Sequence, residues 1–309
     1  MINILLNLMG KIALLVALGY ILRRREIITA QFQKDITDFM MKVALPANVL
    51  TTANNVFSRA LSKNLLLTVA IAICYYLCAF VVTRLLSRFL PLSEKGRSMF
   101  VLMAVFANTA FLGFPLIEEL LGAEGLLYAV IFNMVWLLFF FTAGVAMVSG
   151  QKRMQLRSIL SIPVSLASMA AIAVYVSPLR FPAFVQDTLS TLGAMVVPIS
   201  MLLIGCSLVQ VRPAEILKDP YSYFVSALRL AVFPLAAALI LRAIPEVPHL
   251  VALVCVLMTC LPSASLSVVF AQQYDCEPEY ASRAVVQGML LMIVTIPLFA
   301  TLAVTLFPL

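Results

Sequence analysis

The sequence contains few charged residues. Asp, Glu, Lys and Arg make up 11% of its 309 residues, whereas 63% are hydrophobic. Soluble domains average about 25% charged residues, so this composition excludes a mainly soluble fold and predicts a polytopic membrane protein. The net charge of +7 is attributed to basic loops retained on the cytoplasmic side. Nucleic-acid binding is not predicted, because no basic cluster with interleaved aromatic residues stands clear of the apolar runs.

The sequence also lacks the residues of a catalytic or metal centre. It has one histidine, His249, and its six cysteines form neither a CxxC pair nor a Cys/His cluster. A metal site, a disulfide framework and a bound cofactor are therefore not predicted. A membrane-embedded enzyme would need a metal cluster, a nucleophile with a base or paired acids, so we predict that the protein is not an enzyme. No cleaved signal peptide is expected, because the basic cluster Arg23–Arg25 follows the first apolar run.

The long apolar runs predict membrane-spanning helices. A run of about 20 residues can cross a bilayer core about 30 Å thick. Ten such runs lie at about 4–22, 36–53, 64–86, 98–121, 125–148, 158–177, 186–209, 222–243, 249–272 and 281–306. The sequence therefore predicts an all-α membrane protein of ten transmembrane helices, surrounded by the lipid bilayer.

The basic residues between these runs predict the orientation. Fourteen Lys and Arg residues fall in one alternate set of loops and four in the other. Because cytoplasmic loops collect Lys and Arg, the first set is placed inside the cell and both termini outside. A multi-pass protein of the plasma or inner membrane is expected. The basic set includes Lys152, Arg153, Arg157, Arg212 and Lys218.

The two halves of the chain carry the same interruptions. Pro46 lies in the second run and Pro198 in the seventh; the fourth run is broken at 108–115 and the ninth at 262–265. Five runs per half is an odd number, so the halves must be inverted in the membrane. We predict two repeats, 1–150 and 151–309. Paired interruptions at matching positions of inverted halves indicate a transporter binding site near the midplane.

The first interruption has the chemistry of an anion site. Pro115 suits the first turn of a new half-helix and Gly113 permits unusual backbone angles, so the half-helix is predicted to begin between Gly113 and Leu116. Its N-terminus would offer free N–H groups and a partial positive charge, and Asn108 and Thr109 add polar side chains. A small anion such as a carboxylate fits these donors.

The second interruption repeats this pattern with Pro262, Ser263 and Ser265. Two readings remain open for all these polar side chains. They contact a substrate, or they bond only to the backbone groups that the prolines leave free.

A few other polar residues inside the runs are weaker candidates. Lys42 and Arg229 are either cations that snorkel to the cytoplasmic surface or a substrate counter-ion or gating charge. Asp38, near the start of the second run, is a candidate for a proton relay. Asn48 is a lesser candidate for substrate binding, and Asn133 is assigned to core packing.

Several motifs resemble the auxin efflux carrier family, which includes plant auxin carriers and bacterial carriers of malonate and related anions. The resemblance covers nearly the whole chain and is strongest in the segment from Asn108 to Pro115. Other matching segments are 19–24, 43–47, 203–208, 260–263 and 270–274. The chain lacks a long central loop and so is similar to the short bacterial members. One departure is Ile162-Pro163, where the family often has Asn-Pro, and it argues against auxin itself as the substrate.

The resemblance implies a specific architecture and function. It implies crossed fourth and ninth helices, a scaffold domain and a transport domain each drawn from both repeats, and elevator-type alternating access. It places the crossover asparagine at Asn108 and the crossover prolines at Pro115 and Pro262. The expected function is secondary transport of small organic anions by a homodimer, with or without a coupling ion, either a proton or sodium. The alternative is a membrane sensor or scaffold that binds a small anion without moving it.

Overall fold

The computed structural model describes residues 2–54, 59–150, 162–177, 179–209 and 219–308. Within these ranges all regular secondary structure is helical, and the one β-type contact is an isolated bridge between Ala107 and Ser263. The α-helices are α1 (Ile2–Arg24), α2 (Ala30–Phe39), α3 (Leu45–Thr51), α4 (Arg59–Arg88), α5 (Glu94–Val105), α6 (Phe114–Phe139), α7 (Val145–Ser149), α8 (Pro163–Val176), α9 (Ala183–Gly193), α10 (Val196–Leu208), α11 (Pro220–Ala227), α12 (Phe233–Arg242), α13 (His249–Thr259), α14 (Ser265–Gln273) and α15 (Pro278–Leu306).

Several of these helices join into segments long enough to cross a membrane. Five in the described ranges are both long and apolar enough: Leu61–Arg88, Thr109–Ser149, Ala183–Leu208, Pro220–Arg242 and Pro278–Leu306. The apolar helices α8 and α13 are shorter. The prediction of an all-α membrane protein is confirmed at this level. The basic loops around Lys152 and Arg212, and the start of the predicted sixth run at 158–161, lie outside the described residues.

The longest segment contains parts of two predicted runs. Thr109–Ser149 is 41 residues long, more than the approximately 20 residues needed for one crossing. Gly122 divides it, with φ 66° and ψ −164°, a conformation that residues with a side chain rarely adopt. The second half of the predicted fourth run therefore lies before Gly122 and the fifth run after it.

In the described part of the chain, four π-helical turns interrupt the helices. They cover Met40–Ala44, Thr109–Gly113, Phe140–Gly144 and Leu228–Val232. In three cases a proline follows at the second residue after the turn, namely Pro46, Pro115 and Pro234. A helical proline lacks an N–H and clashes with the carbonyl four residues before it. That carbonyl lies inside the π-turn each time, where the wider hydrogen-bonding pattern accommodates the ring.

This arrangement corrects one prediction about the fourth run. Helical geometry resumes at Thr109, with the π-turn Thr109–Gly113 leading into α6. The half-helix therefore does not begin between Gly113 and Leu116. Pro115 is accommodated inside the half-helix, and the chain is non-helical only at Phe106–Asn108.

The helices pack in two groups. The scaffold group contains α1 packed along α10, and α3 packed on α8 and α9. The crossing group contains α4 packed on α5 and α6, α13 on α6 and α12, and α15 on α11, α13 and α14. Both helical breaks belong to the crossing group.

The ends of the helices are joined by polar contacts. Lys95 Nζ donates to the Asp275 carbonyl at 2.7 Å, and Ser93 Oγ donates to Glu277 Oε1 at 3.1 Å. The acidic segment around Asp275 therefore lies beside the basic start of α5. This pairing gives a physical reason for an acidic loop on the side of the protein to which the basic loops were assigned.

Candidate functional site

The two helical breaks lie against one another. The first is Phe106–Asn108, between α5 and the π-turn, and the second is Cys260–Ala264, between α13 and α14. The Asn108 N–H donates to the Pro262 carbonyl at 2.8 Å, and the Ala264 N–H donates to the Phe106 carbonyl at 2.9 Å. This short antiparallel pairing satisfies backbone groups that would otherwise each cost several kcal/mol in a membrane. We call this region the crossing.

Two half-helices begin at the crossing with unused backbone donors. Within the described residues, no acceptor faces the N–H groups of Ala110 and Phe111 at the first half-helix, or those of Ser265 and Leu266 at the second. The first N–H groups of a helix have no partner inside the helix and carry part of its positive dipole. The crossing thus presents two positive helix ends beside each other.

The polar side chains at the crossing differ in their partners. Thr109 Oγ1 donates to Asn133 Oδ1 at 2.6 Å, and Ser263 Oγ donates to the Met103 carbonyl at 2.8 Å. Ser263 therefore repairs a backbone group that the break left free. Within the described residues, the contact of Asn108 Nδ2 is a long one of 3.4 Å to Ser265 Oγ, so these two groups are the ones most easily turned towards a ligand.

A buried arginine stabilises the opposite side of the crossing. Arg229, which is 1% exposed, lies in the π-turn Leu228–Val232. Its guanidinium donates to the carbonyls of Ala104 and Val105 at the end of α5, at 3.3 and 3.0 Å, and to those of Thr259 and Leu261 at the second break, at 3.3 and 3.0 Å. Arg229 also donates to Tyr75 Oη at 2.6 Å.

The contacts of Arg229 exclude snorkelling for this residue. The C-terminal end of a helix carries a partial negative charge and free carbonyls. One guanidinium neutralises two such ends at once, so the remaining field at the crossing comes from the positive helix starts. Among the hydrogen-bond partners of Asn108, Thr109, Ser263, Ser265 and Arg229 in the described chain there is no carboxylate.

Comparisons with known proteins identify the family. A family model described as membrane transport protein matches residues 4–155 and 146–300. The chain belongs to the membrane transport protein family. The resemblance to auxin efflux carriers drawn from the motifs is confirmed at the family level.

Two relatives carry the name of uncharacterized transporter. One, from Methanocaldococcus jannaschii, is 23% identical over 275 residues, covering 86% of this chain and 88% of the relative. The other, from Methanothermobacter thermautotrophicus, is 26% identical over 294 residues, covering 94% and 95%. The family and these relatives point to a membrane transporter and away from an enzyme.

In this membrane transport protein, Gly113 serves a different purpose from the one predicted. Its φ of −67° and ψ of −50° are ordinary helical values, so the prediction of unusual backbone angles is wrong. A Cβ at Gly113 would lie 2.8 Å from Met258 Sδ and 2.9 Å from Leu261 Cδ1. The missing side chain lets the first half-helix approach the second broken segment closely.

Three predicted residues lie away from the crossing of this transporter. Lys42, in the π-turn before α3, and Asp38, in α2, form an ion pair of 2.9 Å with side chains 64% and 52% exposed. Asn48 is buried and its Nδ2 donates to Glu118 Oε2 at 2.7 Å. These contacts do not bring Lys42, Asp38 or Asn48 to the helical breaks.

Several further polar residues near the breaks are not among the predicted site residues. Asn133 was assigned to core packing, yet it accepts the Thr109 hydroxyl, and Tyr75 accepts from Arg229. Gln287 is 2% exposed, and neither of its amide atoms has a partner in the described chain. Its neighbour Gly288 packs on Pro262. The sequence does contain a signal for two of them: Asn133 and Gln287 are amides in the fifth and tenth apolar runs, each of which follows a broken run.

Proposed function

We propose that this protein is a secondary transporter of small organic anions, and that the crossing is its substrate site. The observation that carries the proposal is the pair of half-helix starts, whose four free N–H groups adjoin Asn108 and Ser265. Helix N-termini bind carboxylates and other anions through such donors. Pro115, Pro262 and Gly113 hold the two half-helices in place. Dicarboxylates such as malonate, or auxin-like monocarboxylates, are the proposed substrates.

We further propose elevator-type movement of the crossing group against the scaffold group. An apolar cavity of about 360 Å³ supports this idea, because Val16 and Met201 of the scaffold group and Leu112, Leu116 and Met292 of the crossing group line it together. Apolar walls offer no directional hydrogen bonds that would fix one group against the other. Ten spans in two inverted repeats, a homodimer, a plasma or inner membrane location and external termini belong to the same proposal.

A thermal-shift screen tests the binding site. Purified protein is heated with organic anions, malonate first, at two pH values and with or without sodium. A ligand present at 100 times its dissociation constant stabilises the folded protein by about 2.7 kcal/mol. We expect Asn108→Ala to remove this stabilisation. Asn64→Ala is the matched control, because Asn64 bonds to Tyr128 Oη at 3.3 Å and not to the breaks.

Uptake into proteoliposomes separates transport from simple binding. We expect malonate uptake by the unchanged protein and by Asn64→Ala, and none by Asn108→Ala. Normal uptake by Asn108→Ala would contradict the site. Binding of malonate without uptake would favour the sensor or scaffold alternative.

A further inference from the structure

Two adjacent acidic residues on α6 reach from the crossing group to the scaffold group. Glu119 Oε1 accepts from Lys11 Nζ on α1 at 2.7 Å. Glu118 Oε2 accepts from Asn48 Nδ2 on α3, also at 2.7 Å. The two carboxylates thus contact different scaffold helices, and in the described chain Glu119 meets a cation whereas Glu118 does not. Glu118 has a neutral amide as its partner and a second carboxylate as its neighbour.

The partner of Glu118 is itself incompletely bonded. Asn48 is 1% exposed, and its Oδ1 has no partner in the described part of the chain. A buried acceptor of this kind needs an explanation. An amide can donate to an ionised carboxylate through its nitrogen and can accept from a protonated carboxyl group through its oxygen. Asn48 is therefore able to pair with either form of Glu118.

Glu118 lines a cavity large enough to hold water. The cavity has a volume of about 750 Å³, and Lys11, Glu118 and Glu119 line it beside apolar residues of α1 and α10. A water molecule takes up about 30 Å³ in the liquid, so the space admits several. The charged groups that face Glu118 there are Glu119 on its own helix and Lys11 on α1. The neutral groups on the other helices are Asn48 on α3, which bonds to Glu118, and Ala194, Val197 and Pro198 in and just before α10, which line the cavity.

We propose that Glu118 is a proton-binding site between the two helix groups, and that its protonation couples anion transport to proton movement. The proton comes from water in the cavity, converts the carboxylate to a carboxylic acid and returns to water on release. When Glu118 loses its charge, the hydrogen bond donated by Asn48 Nδ2 is replaced by one that Asn48 Oδ1 accepts. This change occurs at the surface along which the two groups would slide. This inference rests on the proposed function of transport by such sliding.

Infrared spectroscopy tests the proton site without any substrate. The carboxylic-acid C=O stretching band is recorded in difference spectra as the purified protein is titrated between about pH 4 and pH 8, the range in which perturbed carboxyl groups titrate. We expect Glu118→Gln to remove one component of this band and Glu119→Gln to retain it. Asn48→Ala is expected to move that component to higher pH, because the hydrogen bond it deletes is stronger to the charged form than to the neutral form. An unchanged band in Glu118→Gln would overturn the proposal.

A flux measurement tests the coupling. One pH unit across a vesicle supports up to about tenfold accumulation of an anion on the alkaline side for each proton transported with it. With the membrane potential held at zero, we expect malonate accumulation by the unchanged protein and by Glu119→Gln, and only equilibration by Glu118→Gln. Equal accumulation by all three would overturn the coupling. If no form transports malonate, the proposed function fails for this substrate, while the infrared result still decides whether Glu118 binds a proton.

Discussion

At the scale of single residues, both helical breaks depend on Arg229. Its guanidinium is the donor for four carbonyls from two broken segments. A buried acceptor left without a donor costs about 1–3 kcal/mol. We therefore expect Arg229→Ala to lower the free energy of unfolding by at least about 3 kcal/mol, measured by thermal denaturation in detergent. Arg229→Lys should lie between this variant and the unchanged protein, because an ammonium group lacks the planar fork of a guanidinium.

Two variants control for this effect. Tyr75→Phe removes one of the hydrogen bonds of Arg229 and should cost about 1 kcal/mol. Arg242→Ala removes a cation whose side chain is exposed at the end of α12 and should change little. If Arg229→Ala unfolds at the same temperature as the unchanged protein, Arg229 does not hold the breaks together.

The positions of the helical breaks could be predicted from the sequence, whereas the contacts that stabilise them could not. Asn108 stands out because an amide in an apolar run is unusual. The setting of Arg229 could not be predicted, because its partners lie 30 to 154 residues away in the chain. Both snorkelling and a buried role fitted its position. The distant contacts decide between them, and they also separate Ser263, which bonds to a backbone carbonyl, from Ser265.

At the scale of helices, proline shapes the fold through π-turns. A π-turn precedes Pro234 in the eighth run, where no interruption was predicted. The prolines of the second and fourth runs predicted interruptions, and each of these runs contains a π-turn. Their form could not be predicted, since a proline can end a helix, bend it or follow a widened turn. At Pro115 the widened turn moves the start of the half-helix back to Thr109. This shift places Asn108, rather than Gly113, at the N-terminal boundary of the half-helix.

Replacing Pro115 tests whether the π-turn orients the site. Pro115→Ala restores an N–H, so the turn can close to α-helical geometry. A π-turn holds one residue more than an α-helical turn, so this closure would rotate the preceding residues by about 100° about the helix axis. We expect the free energy of unfolding to change by no more than about 1 kcal/mol, while the thermal stabilisation by malonate is lost. Pro297→Ala is the matched control, because Pro297 lies inside α15 without a π-turn. A full malonate response in Pro115→Ala would contradict the role of the turn.

At the scale of the whole molecule, polar contacts group the helix ends on two surfaces. Lys11 in the first half of α1 pairs with Glu119, and His249 Nδ1 contacts the Pro308 carbonyl at 2.7 Å, and both contacts lie towards the side that the basic-loop count assigns to the outside. Lys95 with Asp275, and Arg283 with Asp219 at 3.4 Å, join ends assigned to the inside. The sequence could assign each loop to a side, but only the folded chain shows which loops meet.

Cysteine labelling tests this assignment of sides. Phe89 follows α4 and is 85% exposed, and Phe184 lies at the start of α9 and is 73% exposed. In a background lacking the exposed thiols of Cys74 and Cys78, we expect a membrane-impermeant maleimide to label Phe184→Cys in right-side-out vesicles and Phe89→Cys only in inverted ones. Labelling of both positions from the same side would contradict the assignment.

Cys276 serves as an internal control in the same experiment. It lies in the turn between α14 and α15, and burial raises the pKa of its thiol to about 11. The thiolate is the reactive form, so the Cys276 thiol stays protonated and unlabelled near pH 7 and gains reactivity as the pH rises towards that pKa. The thiol also donates to the Lys95 carbonyl at 3.6 Å, a contact that ties the turn to α5. Rapid labelling of Cys276 at pH 7 would show that the turn separates from α5 and exposes the thiol.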